Sequence, residues 1–284
     1  MQLRTEALPD VDGVWVRPAH AEEGTSTGVL VLSGSSGRVE TERASVIAGV
    51  GATALTYRWF GAPGQPRGIW ELPLESFDWA VSRLASQCDR VVLVGASKSA
   101  EAFLVYAADD PRVDAVIALS PSHVVWAGVS PGPDGALRPQ HSSWSRAGRA
   151  VPFVPYDDDV AVTGDPPAFE PVYRASLRTF ADRVEAATIP AERFFGDVLL
   201  VAGGDDRVWP SLDFARAVEA RRTAYGLPTT LVTHPDAGHR VILPGEAVAT
   251  GGMPMDRGGS ESADRALGLL AWPEVRRVLG AAVG

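Results

Sequence analysis

The chain has 284 residues, 45% hydrophobic and 21% charged, ordinary values for a globular protein with a large buried core. Its formal net charge of −9 argues against the basic footprint of a nucleic-acid binder, and no run approaches the ~18 consecutive apolar residues of a membrane span. Met1–Asp10 carries acids and a proline instead of a basic, then apolar, leader, and the lone cysteine, Cys88, agrees with a reducing compartment. A cytoplasmic protein is expected, with no nucleic-acid or membrane partner and an oligomeric state left open.

In chain order, Val14-Trp15-Val16 predicts a short strand in an edge hairpin. Val29-Leu30-Val31-Leu32 is a continuous apolar run and predicts a strand buried on both faces. It ends in the loop Ser33-Gly34-Ser35-Ser36-Gly37, and Thr41–Ala48 reads as a helix. A Gly-rich loop after a strand can cradle phosphate, but this one lacks both G-x-G-x-x-G and GK[ST]. Thr53–Tyr57 is the next strand and Glu75–Gln87 the next helix. Val91–Val94 is a further buried strand, followed by the turn Gly95-Ala96-Ser97 and a helix over Lys98–Ala108. Val113–Leu119 is another strand, so β and α alternate and a mostly parallel sheet flanked by helices follows.

Between Pro121 and Pro171 that rhythm breaks into a proline-rich stretch holding Trp126, Trp144, Phe153 and Tyr156. Loops this long are functional or disordered, and the aromatics argue for order. We expect a cap over the site, inserted at about 121–190 in a single domain spanning 1–284, with Trp126 and Trp144 lining a substrate pocket. The acidic run Asp157-Asp158-Asp159 reads as a solvated turn, since no histidine stands at ligand spacing. Arg174–Ala187 returns to helix, Val198–Ala202 to strand, and Ser211–Tyr225 to a helix with Ser211 as its cap. Thr229–Thr233 is the last strand, Gly251–Ser260 a glycine-rich surface loop, and Ser262–Leu279 a closing helix interrupted near Pro273.

Gly95-x-Ser97-x-Ser99 sits in the strand–turn–helix context of a nucleophile elbow, with Ser99 where the pattern has its second glycine. Ser97, an aspartate of the pair Asp205-Asp206, and His239 each follow a predicted strand, in the order Ser…Asp…His used by α/β-hydrolases. Ligands of open α/β sheets sit outside those strand ends, so the three can converge. A serine hydroxyl needs an imidazole to take its proton, and a carboxylate to hold that imidazole's tautomer. Backbone N–H groups of Lys98 and of the Ser35/Ser36 region are the expected oxyanion donors. Of the other histidines, His20, His123, His141 and His234, none follows the final strand at a glycine turn as His239 does.

The stretches Gly95–Glu101, Gly203-Gly204-Asp205-Asp206-Arg207-Val208-Trp209-Pro210-Ser211 and Ala237-Gly238-His239 resemble the catalytic domain shared by acyl-CoA thioesterases and bile acid-CoA:amino acid N-acyltransferases. The likeness runs from about Val29 to Leu243 and is weakest in the cap. Members often carry an N-terminal β-sandwich domain ahead of the matching region. The resemblance implies an α/β-hydrolase fold, Ser97 as nucleophile, Asp206 as acid and His239 as base. It further implies hydrolysis of a thioester, most simply an acyl-CoA, with no cofactor or metal. Acyl transfer to an amine or alcohol and general carboxylester hydrolysis are the alternatives. Transferring members tend to carry cysteine at the elbow, so Ser97 favours water as acceptor.

Overall fold

The described residues of the computed structural model are 1–19, 26–249 and 252–280. Side chains alternating along buried strands divide the core into two layers, one on each face of a central sheet. On strand β3 (Thr27–Leu32), Val29 and Val31 enter one layer, Leu30 and Leu32 the other. On β6 (Arg90–Ala96), Val92 and Val94 join the first, Val91 and Leu93 the second. Helices α1 (Thr41–Ala48) and α7 (Glu261–Val278) cover the first layer through Ile47, Leu267 and Val275. The second layer lies under α2 (Asp78–Ala85), α3 (Lys98–Ala107) and α6 (Ser211–Ala224) through Val81, Phe103 and Val218.

The sheet also contains β1 (Leu3–Ala7), β2 (Gly13–Pro18), β4 (Thr53–Tyr57), β7 (Ala115–Leu119), β10 (Asp197–Gly203) and β11 (Thr230–His234), in the order β1-β2-β4-β3-β6-β7-β10-β11. β2 runs antiparallel to β1 and β4, and every pairing from β4 to β11 is parallel. After β3 the chain steps outward to β4, then returns to the other side of β3 as β6. The loops leaving β3 and β6 therefore diverge, which opens a crevice at the strands' C-terminal ends.

The segment joining β7 to β10 carries α4 (Glu170–Thr179), α5 (Ala181–Ala187) and two strands, β8 (Trp144–Arg146) and β9 (Arg149–Ala150). β8 pairs with both β5 (Leu72–Pro73) and β9, making a small second sheet. Val124, Trp126, Val154 and Tyr173 of this segment share a core with Trp209 and Phe214, anchoring it to α6. In the acidic run, Asp157 accepts from the Thr179 hydroxyl at 2.6 Å and Asp158 pairs with Arg138. Among the described residues no carboxylate, histidine and cysteine group could hold a metal ion, and no helix is long and apolar enough to cross a membrane.

Some local expectations are corrected. The helix foreseen to stop near Pro273 is continuous through it, because Pro273 is exposed while Leu267, Ala271 and Val275 hold the opposite side to the core. Ser211 is the first helical residue of α6 and not its cap; Pro210 precedes it and no side chain caps the helix. The helix foreseen from Arg174 begins earlier, at Glu170 with Pro171 in its first turn, and breaks at Phe180 into α4 and α5. The hairpin partner of β2 is Leu3–Ala7, a strand too exposed to show an apolar pattern. His20 and Gly251 lie outside the described residues.

His123, on the β7–β10 segment, rests its ring 4.8 Å from that of Phe214, and its Nδ1 has no partner. Burial pushes its pKa from 6.5 down to about 4. The unfolded chain therefore takes up a proton near pH 6.5 that the native ring refuses until about pH 4. The neutral ring contributes fully above that window, and at most roughly 3 kcal/mol is lost as pH falls through it. Urea unfolding at pH 7 and pH 4.5 should show a smaller acid loss for His123→Phe than for the native chain; equal losses would assign the dependence to other groups.

Candidate active site

Ser97 alone separates β6 from α3 and takes φ 58°, ψ −117°, a backbone that L-residues avoid. The turn is held at both ends: Ser97 N–H donates to the Leu119 carbonyl at 2.9 Å, and the Ser97 carbonyl accepts from Glu101 N–H at 3.0 Å. A Cβ on Gly95 would come within 2.6 Å of the Ser99 carbonyl carbon, so only glycine lets strand and helix approach this closely. Ser99 fits where a glycine was expected because its buried hydroxyl closes the turn. It accepts from Ala96 N–H at 2.8 Å and donates to the Leu32 carbonyl at 2.9 Å, joining the elbow to β3.

The loop after β3 passes directly beside the elbow. A Cβ on Gly34 would stand 3.0 Å from Ser97 Cβ. Ser35 and Ser36 follow it at the exposed rim of a cavity of ≈ 630 Å³, within the about 300–1,000 Å³ usual for small-molecule sites. Ser97, Lys98 and His239 line the same cavity.

His239 lies in the loop after β11, tied at both main-chain ends: its N–H donates to the Arg257 carbonyl at 2.8 Å, and its carbonyl accepts from the Ser120 hydroxyl at 2.8 Å. Its Nδ1 is 2.7 Å from Asp206 Oδ2, and its ring meets Trp209 edge-on at 5.7 Å. An ionised carboxylate can only accept, so Nδ1 carries the proton and Nε2 keeps its lone pair for chemistry. The other oxygen of buried Asp206 accepts from the N–H groups of Val208, at 2.9 Å, and Trp209, at 3.2 Å. Asp205 faces outward to Arg207 at 3.1 Å and accepts from Gly259 N–H at 2.9 Å. Of the two aspartates, Asp206, which the resemblance implies as the acid, is the one that meets the histidine, and Asp205 braces the loop.

Trp126 and Trp144 are fully buried and lie outside the cavity lining. Trp126 packs edge-on against Tyr173 at 4.7 Å, and Trp144 stacks on Trp59 at 5.9 Å. Their large rings close the core beneath the segment, and the cavity wall is made instead by Tyr156, Phe169, Val172, Tyr173 and Trp209. Tyr156 and Trp209 stood within stretches the sequence had marked, whereas Phe169 and Val172 carry no signal that separates them from packing residues.

Both tryptophans serve a buried ion pair that sequence reading missed. Lys98 Nζ lies 2.9 Å and 3.1 Å from the two carboxylate oxygens of Glu101, one turn into α3. Glu101 also accepts from Trp126 N–H at 3.2 Å and Trp144 Nε1–H at 2.8 Å. Burial pulls the Lys98 ammonium down from the usual lysine range and pushes the Glu101 carboxyl up, and each charge opposes the other's shift. Removing one partner strands a buried charge, so Glu101→Ala should cost about 3–5 kcal/mol in denaturant unfolding. The double change Lys98→Met with Glu101→Leu should recover most of that. A loss below ~1 kcal/mol for Glu101→Ala would show that the pair is solvated.

Sheet order, elbow and strand-end loops together define an α/β-hydrolase fold. Solved structures agree at the level of fold: a puromycin hydrolase superposes with TM-score 0.58 at 18% identity over 100% of this chain and 40% of its own. A dienelactone hydrolase-like promiscuous phosphotriesterase from metagenomic libraries gives 0.56 at 14% over 100% and 99%. Residues 72–250 match the family described as BAAT / Acyl-CoA thioester hydrolase C terminal, and the chain belongs to that family. Acyl-coenzyme A thioesterase 1 of Mus musculus is 24% identical over 267 residues, 90% of this chain and 59% of the relative. Bile acid-CoA:amino acid N-acyltransferase of Mus musculus is 26% identical over 227 residues, 78% and 50% respectively. The chain thus spans between half and three fifths of the length of these two relatives.

Proposed function

We propose that this protein is a serine thioesterase acting on acyl-CoA, with Ser97 as nucleophile, His239 as general base and acid, and Asp206 as the carboxylate that orients it. The observation that carries this reading is the 2.7 Å bond that His239 donates to Asp206, with His239 and the strained Ser97 lining one cavity. His239 Nε2 takes the hydroxyl proton as Ser97 Oγ attacks the thioester carbonyl carbon. The resulting oxyanion is met by the N–H of Lys98 and by one from the Ser35/Ser36 loop. When the C–S bond breaks, His239 returns the proton to the sulfur and the thiol leaves. Water then attacks the Ser97 ester, giving its proton to His239; as the C–O bond to Ser97 breaks, His239 returns that proton to Ser97 Oγ, and the carboxylic acid is released. No cofactor enters this sequence.

Family membership supports the thioester as substrate, and the activity for which the thioesterase relative is named supports CoA as its thiol. The β7–β10 segment acts as the cap, and the half-buried free Cys88 fits a reducing compartment such as the cytoplasm. An oxygen ester on Ser97 reacts less readily with amines than a thioester on cysteine would, which favours hydrolysis over the transfer named for the N-acyltransferase relative.

Free-thiol release from acyl-CoA, with products resolved by mass spectrometry, tests this reading. Ser97→Ala should lower kcat by roughly three powers of ten or more while unfolding like the native chain. A near-normal rate would remove Ser97 from the chemistry. Asp206→Asn should cost far more than Asp205→Asn, and the reverse order would move the acid to Asp205. Glycine or taurine added to the native enzyme should leave free acid as the main product. Mainly acyl-amide would make the protein an acyltransferase.

A further inference from the structure

Two chemically different groups of residues stand out in the mixed lining of the cavity. The β7–β10 segment supplies Val160, Val162, Phe169 and Val172, an apolar wall running from the buried core to exposed side chains at the rim. Arg38, from the loop after β3, Arg240, next to His239, and Arg257, before α7, supply the other. They come from three separate loops in a chain whose net charge is −9, so their meeting does not follow from an overall basic surface.

The other cations at the cavity are neutralised locally. Arg43 pairs with Glu246 at 2.9 Å, Lys98 with Glu101 at 2.9 Å, and Arg138 with Asp158. Arg38 has Glu40 at 2.8 Å, a carboxylate whose charge Arg43 also feels. Arg240 has no carboxylate at ion-pair distance among the described residues: Asp264 attracts it, but accepts from Gly238 N–H at 2.7 Å. Among the described residues Arg257 donates to the carbonyls of Met253 and Met255, at 3.2 and 3.3 Å. Burial first, then the charge of Arg38, holds Arg240 below the usual arginine range; burial, Arg240 and Arg38 do the same to Arg257. Like charges gathered at a half-buried site, with no carboxylate at ion-pair distance from Arg240 or Arg257 among the described residues, raise the energy of the empty site, and an anion removes that cost.

We propose that Arg38, Arg240 and Arg257 bind the phosphates of a nucleotide-bearing thioester, with its acyl chain lying on the apolar wall of the β7–β10 segment. This assignment rests on the thioesterase reading and adds to it which residues select the thiol carrier. Guanidinium forks suit phosphate oxygens geometrically, and the position of Arg240 beside His239 sets the anion on the thiol side of the reacting carbonyl. The acyl side is left to the cap.

The test compares an acyl-CoA with the pantetheine thioester of the same acid, which lacks every phosphate. The native enzyme should prefer the CoA ester in kcat/KM. Arg240→Gln and Arg257→Gln should each cut that preference about tenfold, with the double variant approaching a hundredfold and the change carried mainly by KM. Arg240→Lys, which keeps the charge and loses the fork, should retain an intermediate preference. Calorimetric binding of 3′,5′-ADP to the folded native and variant proteins reads the same site without turnover, and should weaken in parallel and with rising salt. A preference unchanged in the double variant would overturn the assignment, as would unaltered 3′,5′-ADP binding. Faster release from an acylated carrier protein, whose arm bears one phosphodiester, than from the CoA ester would overturn its nucleotide part. If the native enzyme cleaved both thioesters equally, the arginine assignment would fall and the thioesterase reading would stand. If it cleaved neither, the thioesterase reading would fall, and the calorimetry would still decide whether the arginines hold phosphate.

Discussion

Ser97 occupies a backbone conformation that costs on the order of 1–3 kcal/mol wherever a residue with a Cβ adopts it, and much of the site is arranged to hold it there. The whole of α3 is buried, so the helix cannot swing to relax the turn. Gly95 removes the one Cβ that would push strand and helix apart. Ser99 ties the turn to β3, and the Lys98–Glu101 pair with its two indole-bearing neighbours ties the first turn of α3 to the overlying segment. The strained residue is thereby held by fully buried neighbours, which is the condition under which such strain persists.

The histidine side of the site is built on different terms. His239 sits in a loop, and its position comes from bonds to loops of three origins: the Asp206 carboxylate after β10, the Ser120 hydroxyl after β7, and the Arg257 carbonyl before α7. Trp209 packs its ring against the imidazole and its indole N–H donates to the Ser120 carbonyl at 3.2 Å, so one side chain braces two of these contacts. The aromatic cluster of the β7–β10 segment reaches the site through this tryptophan. Trp126 therefore acts at a distance, through packing, and belongs to the architecture of the site without touching the cavity.

Charge follows the same division. A chain of net charge −9 buries the Arg43–Glu246 and Lys98–Glu101 pairs at the cavity, while among the described residues Arg240 and Arg257 have no carboxylate at ion-pair distance. Three arginines from separate loops and the apolar run Val160, Val162, Phe169 and Val172 thus face one cavity.

Periodicity and local chemistry determined most of the framework from sequence alone. Continuous β-branched runs such as Val91–Val94 can only be strands buried on both faces, and Thr41–Ala48 and Thr53–Tyr57 fall where their patterns place them. Ser97 and His239 were also legible, because an elbow and a glycine turn after a strand are local signals, and so was the need for an acid at Asp205-Asp206. What sequence could not supply depends on long-range contact. Local pattern alone does not say which of two adjacent aspartates meets a histidine 33 positions later, a matter of loop direction. It also cannot say that Trp126 and Trp144 point into the core, or that Pro273 is tolerated inside α7 because its side faces solvent. The arginines are the clearest case. Arg38, Arg240 and Arg257 are unremarkable in their own neighbourhoods, and only the crossing of the chain between β3 and β6 brings the loops that carry them to one opening.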